Sequence, residues 1–522
     1  MPLCAHGLMR PCAEVQFVLV RKLLVANRGE IAVRIMRAAR EAGLATVAVY
    51  SDCDRQARHV RSADEAWPLD GNRPADTYLR IDKLVAIARA ARADAVHPGY
   101  GFLAENAAFA AACQDAGLTF VGPTPDAIRL MGSKTAARQA AIAAGVPVVP
   151  GTDRPVPADA PDADVLRSAS EIGYPVMLKA VAGGGGKGMR LVRDAESLPG
   201  ALRAARSEAQ SAFGSGEVYL ARRLEAPRHI EVQLLGDRHG TVIPFVEREC
   251  SVQRRHQKVV EESPSPVVGA ELRAALASAA ERVARSVGYT NAGTIEFLLD
   301  ADGRFYFLEM NTRLQVEHPI TEAVTGLDLV QWQFRIARGD SITIDPAAAL
   351  TPRGHAIEAR VYAEDPDEGF MPSPGRILHL RTPSGPGVRD DGGYDALDEV
   401  PIYYDSLVSK LIAWGETRDA AIARMRRAIG EYEVGGIRTT LPFFRWLLQE
   451  PAFLEARVDT TFLDRALASR NGTPFVAADA ETEDVAAIAA ALHSLTSARA
   501  GQPLTHAPTS AWTRSARLGA LR

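Results

Sequence analysis

The stretch FYFLEMNTRLQVEHP, residues 305–319, decides both the fold and the site of this chain. It follows an apolar run, GTIEFLL, and the turn sequence DADG. Asp-Gly between two apolar alternating runs predicts a two-residue hairpin turn at Asp302-Gly303, which places Glu296 directly opposite Glu309. Like charges across a strand pair destabilise it, so we expect a cation between them. Hard oxygen ligands suit Mg²⁺ or Mn²⁺.

The alternation continues beyond Glu309. Four polar residues share its parity: Asn311, Arg313, Gln315 and Glu317. If the segment stays extended, one face becomes a polar active-site floor and the other packs into the core. The alternative is a solvated edge strand. The strongly apolar neighbouring segments favour a polar face that lines an active site over a solvated edge strand.

Composition and charge set the class of protein. The chain has 522 residues, 47% hydrophobic and 24% charged, which is typical of a globular protein. The net charge of −4 does not favour nucleic acid or an anionic membrane as a partner, and no run reaches the length of a membrane span. The five cysteines are widely spaced and lack a zinc pattern, which predicts reduced thiols and a cytoplasmic location.

Residues 21–121 alternate strand and helix patterns. KLLVAN, ATVAVY, DAVHPG and TFVGP are strand runs with helical spacing between them, which predicts a doubly wound parallel sheet. Ligands of such sheets bind at the carboxyl ends of strands, where residues 27–30 and 99–101 lie. Residues 1–18 lack the apolar segment of a secretory signal, so we expect a disordered extension, or translation from an upstream start codon, instead of a targeting role.

A small unit follows, built like a mobile lid. It holds the strand PVMLKA, a glycine loop and the strand EVYLARRL. A larger region continues with strands HIEVQLLG and TVIPFVERE before the hairpin. Periodicity predicts helices over residues 125–144, 198–213, 270–287, 418–433, 441–449 and, weakly, 484–495.

The glycine loop AGGGGKG, residues 182–188, can form an anion nest of backbone N–H groups over phosphates. It is not a Walker A loop, because no Ser or Thr follows the lysine, and no helix opens there. A flexible hairpin is the alternative. Lys179, which ends an apolar strand beside the loop, favours phosphate binding. Lys134 is a second candidate, with an exposed helix lysine as the alternative.

The segment ECSVQRRHQK, residues 249–258, concentrates positive charge in an acidic protein. This excess indicates an anionic substrate, and a surface charge cluster is the alternative. Cys250 lacks an evident activating partner, so a small buried residue is the simpler interpretation. His229 on an apolar strand is typical of a core histidine, and Arg360 is ambiguous in isolation.

Nine motifs occur in order: KLLVANRGEIAVRI, HPGYGFLAEN, RLMGSK, AGGGGKGMR, PRHIEVQ, CSVQRRHQKVVEE, GTIEF, FLEMNTRLQVEHP and GHAIEARVYAEDP. Together they resemble the biotin carboxylase family, the ATP-grasp component of biotin-dependent acyl-CoA carboxylases and pyruvate carboxylase. The resemblance implies an α/β and α+β multidomain fold. The resemblance covers about residues 19–465, and the expected parts are a doubly wound N-terminal domain (19–121), a helical connection (122–150), an ATP-grasp lid (151–223), an ATP-grasp core (224–353) and a C-terminal biotin carboxylase domain (354–465). Outside the resemblance lie the expected extension (1–18) and an Ala-rich tail of unknown role (466–522).

The resemblance also implies the chemistry. MgATP, or MnATP, and bicarbonate would form carboxyphosphate, and N1′ of biotin on a carrier protein would then be carboxylated. Glu317 would be the general base, and Arg360 would stabilise the enolate-like oxyanion of biotin. With Lys258 and Arg313, these are the expected catalytic residues.

The remaining implied roles are binding roles. Metal would be held by Glu296, Glu309 and Asn311. Bicarbonate would be bound by Lys258, Arg313, Gln315 and Val316. Biotin would lie near His229, Gln253 and Arg360. ATP would be bound by Lys134, Lys179, Gly184, Gly185, Gly186, Lys187, Gly188, Met189, Arg222, Leu224 and His256.

Two features depart from the family pattern. Ala221-Arg222 stands where most relatives read Glu-Lys, and that glutamate helps to recognise adenine, so we expect altered nucleotide affinity with unchanged chemistry. Val181-Ala182 stands where relatives often have Ser-Gly.

No Met is followed by Lys anywhere, whereas carrier domains carry a Met-Lys-Met acceptor. We therefore expect biotin on a separate carrier protein and a separate carboxyltransferase subunit. The resemblance also implies a homodimer of this chain.

Other functions fit the sequence less well. A carboxyphosphate-forming purine enzyme or a carbamoyl-phosphate-type synthetase would share the glycine loop and paired acids, but not RLQVEHP and QRRHQK together. A regulatory nucleotide-binding module would have lost Glu317, Arg313 or Lys258, and all three are present. The leading hypothesis is the first half-reaction of an acetyl-CoA or acyl-CoA carboxylase, and a pyruvate-type carboxylase is the alternative.

Overall fold

The computed structural model describes residues 19–152, 154–157, 159–180, 189–213, 216–475 and 480–500. The expected extension 1–18, the glycine loop 181–188 and the tail beyond residue 500 lie outside these ranges. Residues 473–522 form a unit of their own, in which Ala480–Ala500 is a helix that extends the predicted one at both ends. None of the helices in the described part of the chain has the length and apolar character needed to cross a membrane.

The N-terminal region is the predicted doubly wound sheet. Its five strands pair in parallel in the order β3-β2-β1-β4-β5. The sequence pattern missed β3 because this strand has exposed positions. The elements are β1 (Lys22–Val25), α1 (Gly29–Glu41), β2 (Ala45–Tyr50), α2 (Arg58–Ser62), β3 (Glu65–Pro68), α3 (Ile81–Ala90), β4 (Ala95–His97), α4 (Ala107–Asp115) and β5 (Thr119–Phe120).

The carboxyl ends of β1 and β4 are joined by Asn27. Its side-chain amide donates to the carbonyls of Pro98, at 2.7 Å, and Tyr100, at 2.8 Å. Gly99 lies between them with φ of 64°, and a Cβ there would come within 2.7 Å of the Asn27 amide nitrogen. Glycine is therefore required at this position by both conformation and space.

The prediction of a single helix over residues 125–144 is wrong. The structure has α5 (Pro125–Gly132) and α6 (Lys134–Ala143), separated by Ser133 in an extended conformation. The Ser133 hydroxyl accepts a hydrogen bond from the Ala136 N–H, so it caps the second helix. Lys134 thus begins a helix instead of lying in the middle of one.

The small unit is a three-stranded antiparallel sheet in the order β7-β6-β8, with two helices. The predicted helix over 198–213 is confirmed. Its apolar core includes Val176, Leu178 and Leu220. The elements are α7 (Asp162–Ile172), β6 (Val176–Ala180), β7 (Met189–Val192), α8 (Leu198–Phe213) and β8 (Val218–Arg222).

The larger region up to residue 362 contains most of a nine-stranded sheet. The predicted strand TVIPFVERE is wrong, since it divides into β10 and the start of β11. The elements are β9 (Arg228–Gly236), β10 (Val242–Pro244), β11 (Arg248–Arg254), β12 (Gln257–Ser263), α9 (Ala270–Ser286), β13 (Asn291–Leu299), β14 (Phe305–Asn311), α10 (His318–Thr325), α11 (Leu329–Arg338), α12 (Pro346–Ala349) and β15 (His355–Tyr362).

The β13–β14 hairpin has the predicted pairing of Glu296 with Glu309, but its turn is not the predicted one. Glu296 does pair with Glu309. The turn, however, leaves three residues between the paired Asp300 and Arg304, instead of two. An irregularity beside Glu296 shifts the register by one residue and compensates. The predicted extension beyond Glu309 is wrong, since β14 ends at Asn311 and the chain turns into α10.

The C-terminal part completes the large sheet, whose main path runs β14-β13-β9-β11-β12-β15-β22-β20. Helix α13 packs on β22 and β15, and the predicted helices near 418 and 441 are confirmed with ends shortened by two residues. The elements are β16 (Glu364–Asp365), β17 (Met371–Pro372), β18 (Gly375–Arg376), β19 (His379–Arg381), β20 (Val388–Gly392), β21 (Glu399–Val400), β22 (Leu407–Gly415), α13 (Arg418–Glu431), β23 (Glu433–Gly435), α14 (Leu441–Leu447), α15 (Pro451–Leu454) and α16 (Phe462–Ser469).

Candidate active site

A cavity of about 800 Å³ opens between the small sheet and the large sheet. All the predicted site residues that the structure describes line it: Lys134, Lys179, Met189, Arg222, Leu224, His229, Gln253, His256, Lys258, Glu296, Glu309, Asn311, Arg313, Gln315, Val316, Glu317 and Arg360. Gly184, Gly185, Gly186, Lys187 and Gly188 lie outside the described residues. Among the described lining residues none comes from 27–30 or 99–101, so this cavity does not include those strand ends, and a ligand there stays a prediction.

Lys258, on β12, lies at the centre of the site. Its ammonium nitrogen is 2.7 Å from Glu317 Oε1 and 3.0 Å from Glu296 Oε1, and it also contacts Glu231. Burial by itself would lower the pKa of Lys258, but the three carboxylates raise it well above its ordinary value. A permanent cation is therefore fixed beside the carboxylate of Glu317.

Glu317 lies at the turn before α10 and is 1% exposed. Burial would raise the pKa of Glu317, but Lys258, with Arg360 and Arg248, lowers it below its ordinary value. The guanidinium of Arg360 donates to Glu317 Oε2 at 3.1 Å and to Glu261 Oε1 at 2.6 Å. Glu317 is therefore an oriented, ionised carboxylate that can accept a proton inside the cavity.

The facing acids differ in their surroundings. Glu296 Oε1 accepts from Asn311 at 2.7 Å and from Gln315 at 2.8 Å. Burial would raise the pKa of Glu296, but Lys258 and His229 lower it well below its ordinary value. Burial, and then the charge of Glu296, raise the pKa of Glu309. Lys258 and His229 therefore compensate the charge of Glu296. The cations near Glu309 do not offset the effects of burial and of Glu296 on its pKa.

Arg313 is held by a residue from the N-terminal region. Its Nε donates to Glu105 Oε2 at 3.0 Å, and its Nη2 donates to Asn311 Oδ1 at 3.1 Å. The amide of Gln315 donates to Glu296 and accepts from Arg248. These side chains converge although the segment is not a strand, because the turn before α10 brings them to the same wall.

His229 lies opposite this wall and is not an ordinary core histidine. Its Nε2 is 3.0 Å from Glu296 Oε2 and 3.2 Å from Glu231 Oε1. Burial would lower the pKa of His229, but these carboxylates raise it to about 9. Its Nδ1 lies 3.0 Å from the Gln253 amide nitrogen. The pair forms a polar end of the cavity next to Lys258.

The other end of the cavity carries cationic side chains from the small unit and α6. Burial, with help from Lys134, lowers the pKa of Lys179 to about 8. Its ammonium lies 5.8 Å from the Tyr219 ring centre. Arg255 and His256 form the β11–β12 turn with left-handed φ angles of 50° and 66°. An anionic ligand between these groups would restore the full charge of Lys179.

Sequence reasoning missed three residues that hold the side chains of the site in place: Glu105, Glu231 and Arg248. Arg248 is fully buried and contacts Glu231 at 3.2 Å. Its guanidinium also donates to Gln233, Thr294, Thr321 and Gln315. The parity of Glu231 with His229 along β9 was an available signal for Glu231. Nothing in the chain order indicated Arg248 or the pairing of Glu105 with Arg313.

Three family models match almost all of residues 19–465. The model "Biotin carboxylase, N-terminal domain" matches residues 19–128. The model "Carbamoyl-phosphate synthase L chain, ATP binding domain" matches 133–344. The model "Biotin carboxylase C-terminal domain" matches 358–465.

Individual relatives agree with these matches. The chain is 51% identical over 442 residues to a "Biotin carboxylase" of Nostoc, covering 85% of this chain and 98% of that protein. It is 50% identical to one of the subunits of the pyruvate carboxylase of Methanothermobacter thermautotrophicus, covering 85% of this chain and 89% of that one. The biotin carboxylase domain dimer of Hydrogenobacter thermophilus 2-oxoglutarate carboxylase, solved with MgADP, ADP and bicarbonate, superposes with a TM-score of 0.82 at 44% identity. That match covers 89% of this chain and all of that one.

Proposed function

The chain belongs to the biotin carboxylase family and is an ATP-dependent biotin carboxylase, and we propose that it catalyses the first half-reaction of an acetyl-CoA or acyl-CoA carboxylase. In this reaction a bicarbonate oxygen bonds to the γ-phosphorus of ATP, the bond from that phosphorus to the β–γ bridging oxygen breaks, and ADP leaves. The carboxyl carbon of the carboxyphosphate then bonds to N1′ of biotin, its bond to the phosphate oxygen breaks, and the inorganic phosphate released takes up the N1′ proton. The observation that carries the proposal is Lys258 and Arg360 on either side of the Glu317 carboxylate.

The proposed roles follow from charge and position. Glu317 accepts the bicarbonate proton, since it is ionised and held from two sides. Lys258 and Arg313 neutralise the bicarbonate anion, with Gln315 and Val316 beside them. Phosphoryl transfer depends on positioning and charge neutralisation, which these cations provide together with Lys134, Lys179 and the residues at the nucleotide end. Those residues are Met189, Arg222, Leu224 and His256. The family resemblance adds Gly184, Gly185, Gly186, Lys187 and Gly188, which lie outside the described residues.

The biotin end is proposed to lie near His229, Gln253 and Arg360. Arg360 has two charged partners, so its guanidinium is fixed before the substrate arrives. A preorganised donor of this kind stabilises an oxyanion that develops on the ureido oxygen. Loss of the N1′ proton creates that oxyanion.

The family implies Mg²⁺ or Mn²⁺, and the residues present fit such an ion. Glu309 faces the cavity opposite Glu296 with a half-buried carboxylate, and burial and the charge of Glu296 raise its pKa despite the cations nearby. Hard oxygen ligands of this kind hold Mg²⁺ together with substrate phosphates. Glu296 and Glu309, with Asn311 near them, are the proposed ligands, and a bound ion would neutralise charge on the phosphates.

This assignment predicts opposite effects of the two facing acids on stability. Glu309→Gln should raise the free energy of unfolding of the metal-free protein by up to about 1 kcal/mol, because it removes a like-charge contact. Glu296→Gln should lower it by about 3 kcal/mol, because it leaves Lys258 and His229 undercompensated. The sequence alone predicts no loss for either variant. Denaturant unfolding of both variants measures the effect, and equal shifts would contradict the assignment.

Both variants should also lose bicarbonate-dependent ATP cleavage at saturating Mg²⁺. Undiminished cleavage in either would rule that residue out as a metal ligand. Glu262→Gln is the matched control, since Glu262 is a buried, ion-paired glutamate of β12 that does not line the cavity. It should lose stability and keep its activity.

The type of carboxylase, the oligomeric state and the partner proteins also belong to the proposal. A pyruvate-type carboxylase is the second candidate, since the Methanothermobacter protein matches almost as well as the Nostoc protein. A homodimer is supported by the dimeric Hydrogenobacter domain. We also propose two partners in the cytoplasm, a biotin carboxyl carrier protein and a carboxyltransferase subunit.

The chain should work in trans on a carrier protein. It should carry no biotin when purified, since it has no Met-Lys acceptor pair. Bicarbonate-dependent ATP cleavage should be slow alone, faster with free biotin and fastest with a biotinylated carrier, whose remote contacts orient the reacting nitrogen. A streptavidin blot and an ATPase titration test this. A biotinylated chain, or cleavage indifferent to biotin and carrier, would contradict it.

The choice between the two carboxylases needs the partner proteins. Affinity purification of the native complex followed by peptide identification should recover a carboxyltransferase together with the carrier. Adding acetyl-CoA, propionyl-CoA or pyruvate to that complex with labelled bicarbonate should label an acyl-CoA. Labelling of the keto acid alone would favour the pyruvate-type candidate.

A further inference from the structure

Lys410 is a fully buried lysine outside the cavity lining, on β22. Its ammonium nitrogen lies 3.0 Å from the carbonyl oxygen of Val316, 3.2 Å from Glu30 Oε2 and 4.0 Å from Asp391 Oδ2. Three separate parts of the chain therefore meet at one cation: α1, the turn before α10 and the strands β20 and β22. Burying an ammonium is costly unless it is paired and hydrogen-bonded, so the position calls for a function.

We infer that Lys410 is a positioning residue for the reaction, which fixes Glu317 through the carbonyl of Val316. The Val316 carbonyl and the Glu317 N–H belong to the same planar peptide unit. When the Val316 carbonyl oxygen is held in place, the orientation of this peptide plane is fixed. The position of the Glu317 Cα, to which the side chain is attached, is then fixed as well. The inference rests on the proposed role of Glu317 as the base.

The turn itself needs such a support. Val316 and Glu317 form a turn between the end of β14 and the start of α10, so no strand ladder holds them. On the cavity side Glu317 is held by Lys258 and Arg360, which must also meet the substrates. Lys410 acts on the backbone of the turn and does not line the cavity. It can therefore hold the base while the cavity side chains change partners.

Glu30 has a different part. It lies in the first turn of α1, and both of its carboxylate oxygens are buried without a well-formed hydrogen bond. Burial raises the pKa of Glu30 to about 7, against the opposing effect of Lys410. The Glu30 carboxylate, 3.2 Å from the Lys410 ammonium, is its charge partner, whereas the directed hydrogen bond of Lys410 goes to the carbonyl of Val316.

This division of roles predicts an asymmetry that a purely structural ion pair would not show. Lys410→Met should lower kcat for bicarbonate-dependent ATP cleavage about 30-fold, since small displacements of a reacting group are costly. The KM for ATP should stay within about twofold, because Lys410 is remote from the nucleotide end. Glu30→Gln keeps the bond to Val316 and should keep kcat within about threefold.

The double variant Glu30→Gln/Lys410→Met separates catalysis from stability. Removing both charges should restore much of the melting temperature that Lys410→Met loses, since a buried pair can be replaced together with little cost. Its kcat should stay low, because the Val316 carbonyl is still unsupported. Lys83→Met is the matched control, since Lys83 also donates to main-chain carbonyls, at 2.9 Å to Asp76 and 3.2 Å to Asp70, away from the cavity.

The measurements are steady-state ATP cleavage with varied ATP and bicarbonate, and thermal unfolding, on the full chain. Low kcat in both Lys410 variants, with normal kcat in Glu30→Gln and Lys83→Met, supports the inference. Unchanged kcat in the double variant, or recovery of kcat together with the melting temperature, overturns it. Failure of the parent protein to cleave ATP with bicarbonate would instead contradict the proposed function.

Discussion

Replacing Glu317 by glutamine is expected to lower bicarbonate-dependent ATP cleavage by about 1,000-fold and to leave the protein folded. Glutamine has nearly the same shape but cannot accept the bicarbonate proton. Lys258 would keep its contacts with Glu231 and Glu296, so the centre of the site should not collapse. ADP release at saturating ATP and bicarbonate measures the effect, with thermal unfolding as the check on folding.

Two further variants make the Glu317 result specific. Glu317→Asp keeps the carboxylate but withdraws it, and should lie between the parent and the glutamine variant. Glu262→Gln removes a buried, ion-paired charge of β12 without touching the cavity. It should lose stability and keep kcat. ATP cleavage in Glu317→Gln within about tenfold of the parent would remove the role of general base from this residue.

The sequence predicts the site better than it predicts the route of the chain through it. The pairing of Glu296 with Glu309 is correct, although the turn is one residue longer than predicted and a bulge compensates. The alternation of polar residues after Glu309 is typical of a strand. A turn into α10 brings the same side chains to the cavity instead, because side chains two apart can share one wall in more than one backbone conformation.

The sequence does not reveal which charged residues pair when they lie far apart in the chain. Glu105 and Arg313 are 208 residues apart, and Arg34 and Glu322 are 288 apart. Periodicity indicates only that a residue is on a buried or exposed face. Which buried charges meet is decided by the packing of α1, α10, β20 and β22, and so the sequence contains no signal for Lys410. The split at Ser133 was missed for a local reason, since the serine fits a helix pattern and an N-cap equally well.

Replacing Arg360 by methionine should separate the two halves of the reaction. Carboxyl transfer to biotin should fall by about 1,000-fold, the cost of removing a preorganised oxyanion donor. ATP cleavage should fall only about tenfold. Some loss is expected there because Arg360 contacts Glu317 at 3.1 Å and helps to keep it ionised. The closer ammonium of Lys258, at 2.7 Å, is the larger influence on Glu317 and remains in place.

The ratio of ADP released to labelled carboxybiotin formed is the decisive quantity for Arg360. It should be near one in the parent with carrier and rise steeply in Arg360→Met, because carboxyphosphate then breaks down without reaching biotin. Arg254→Met is the matched control, since Arg254 pairs with Glu364 at 2.9 Å and does not line the cavity. Its ratio should match the parent. Equal loss of both activities in Arg360→Met would mean that the guanidinium acts only by holding Glu317, and the role at the oxyanion would have to be given to another donor.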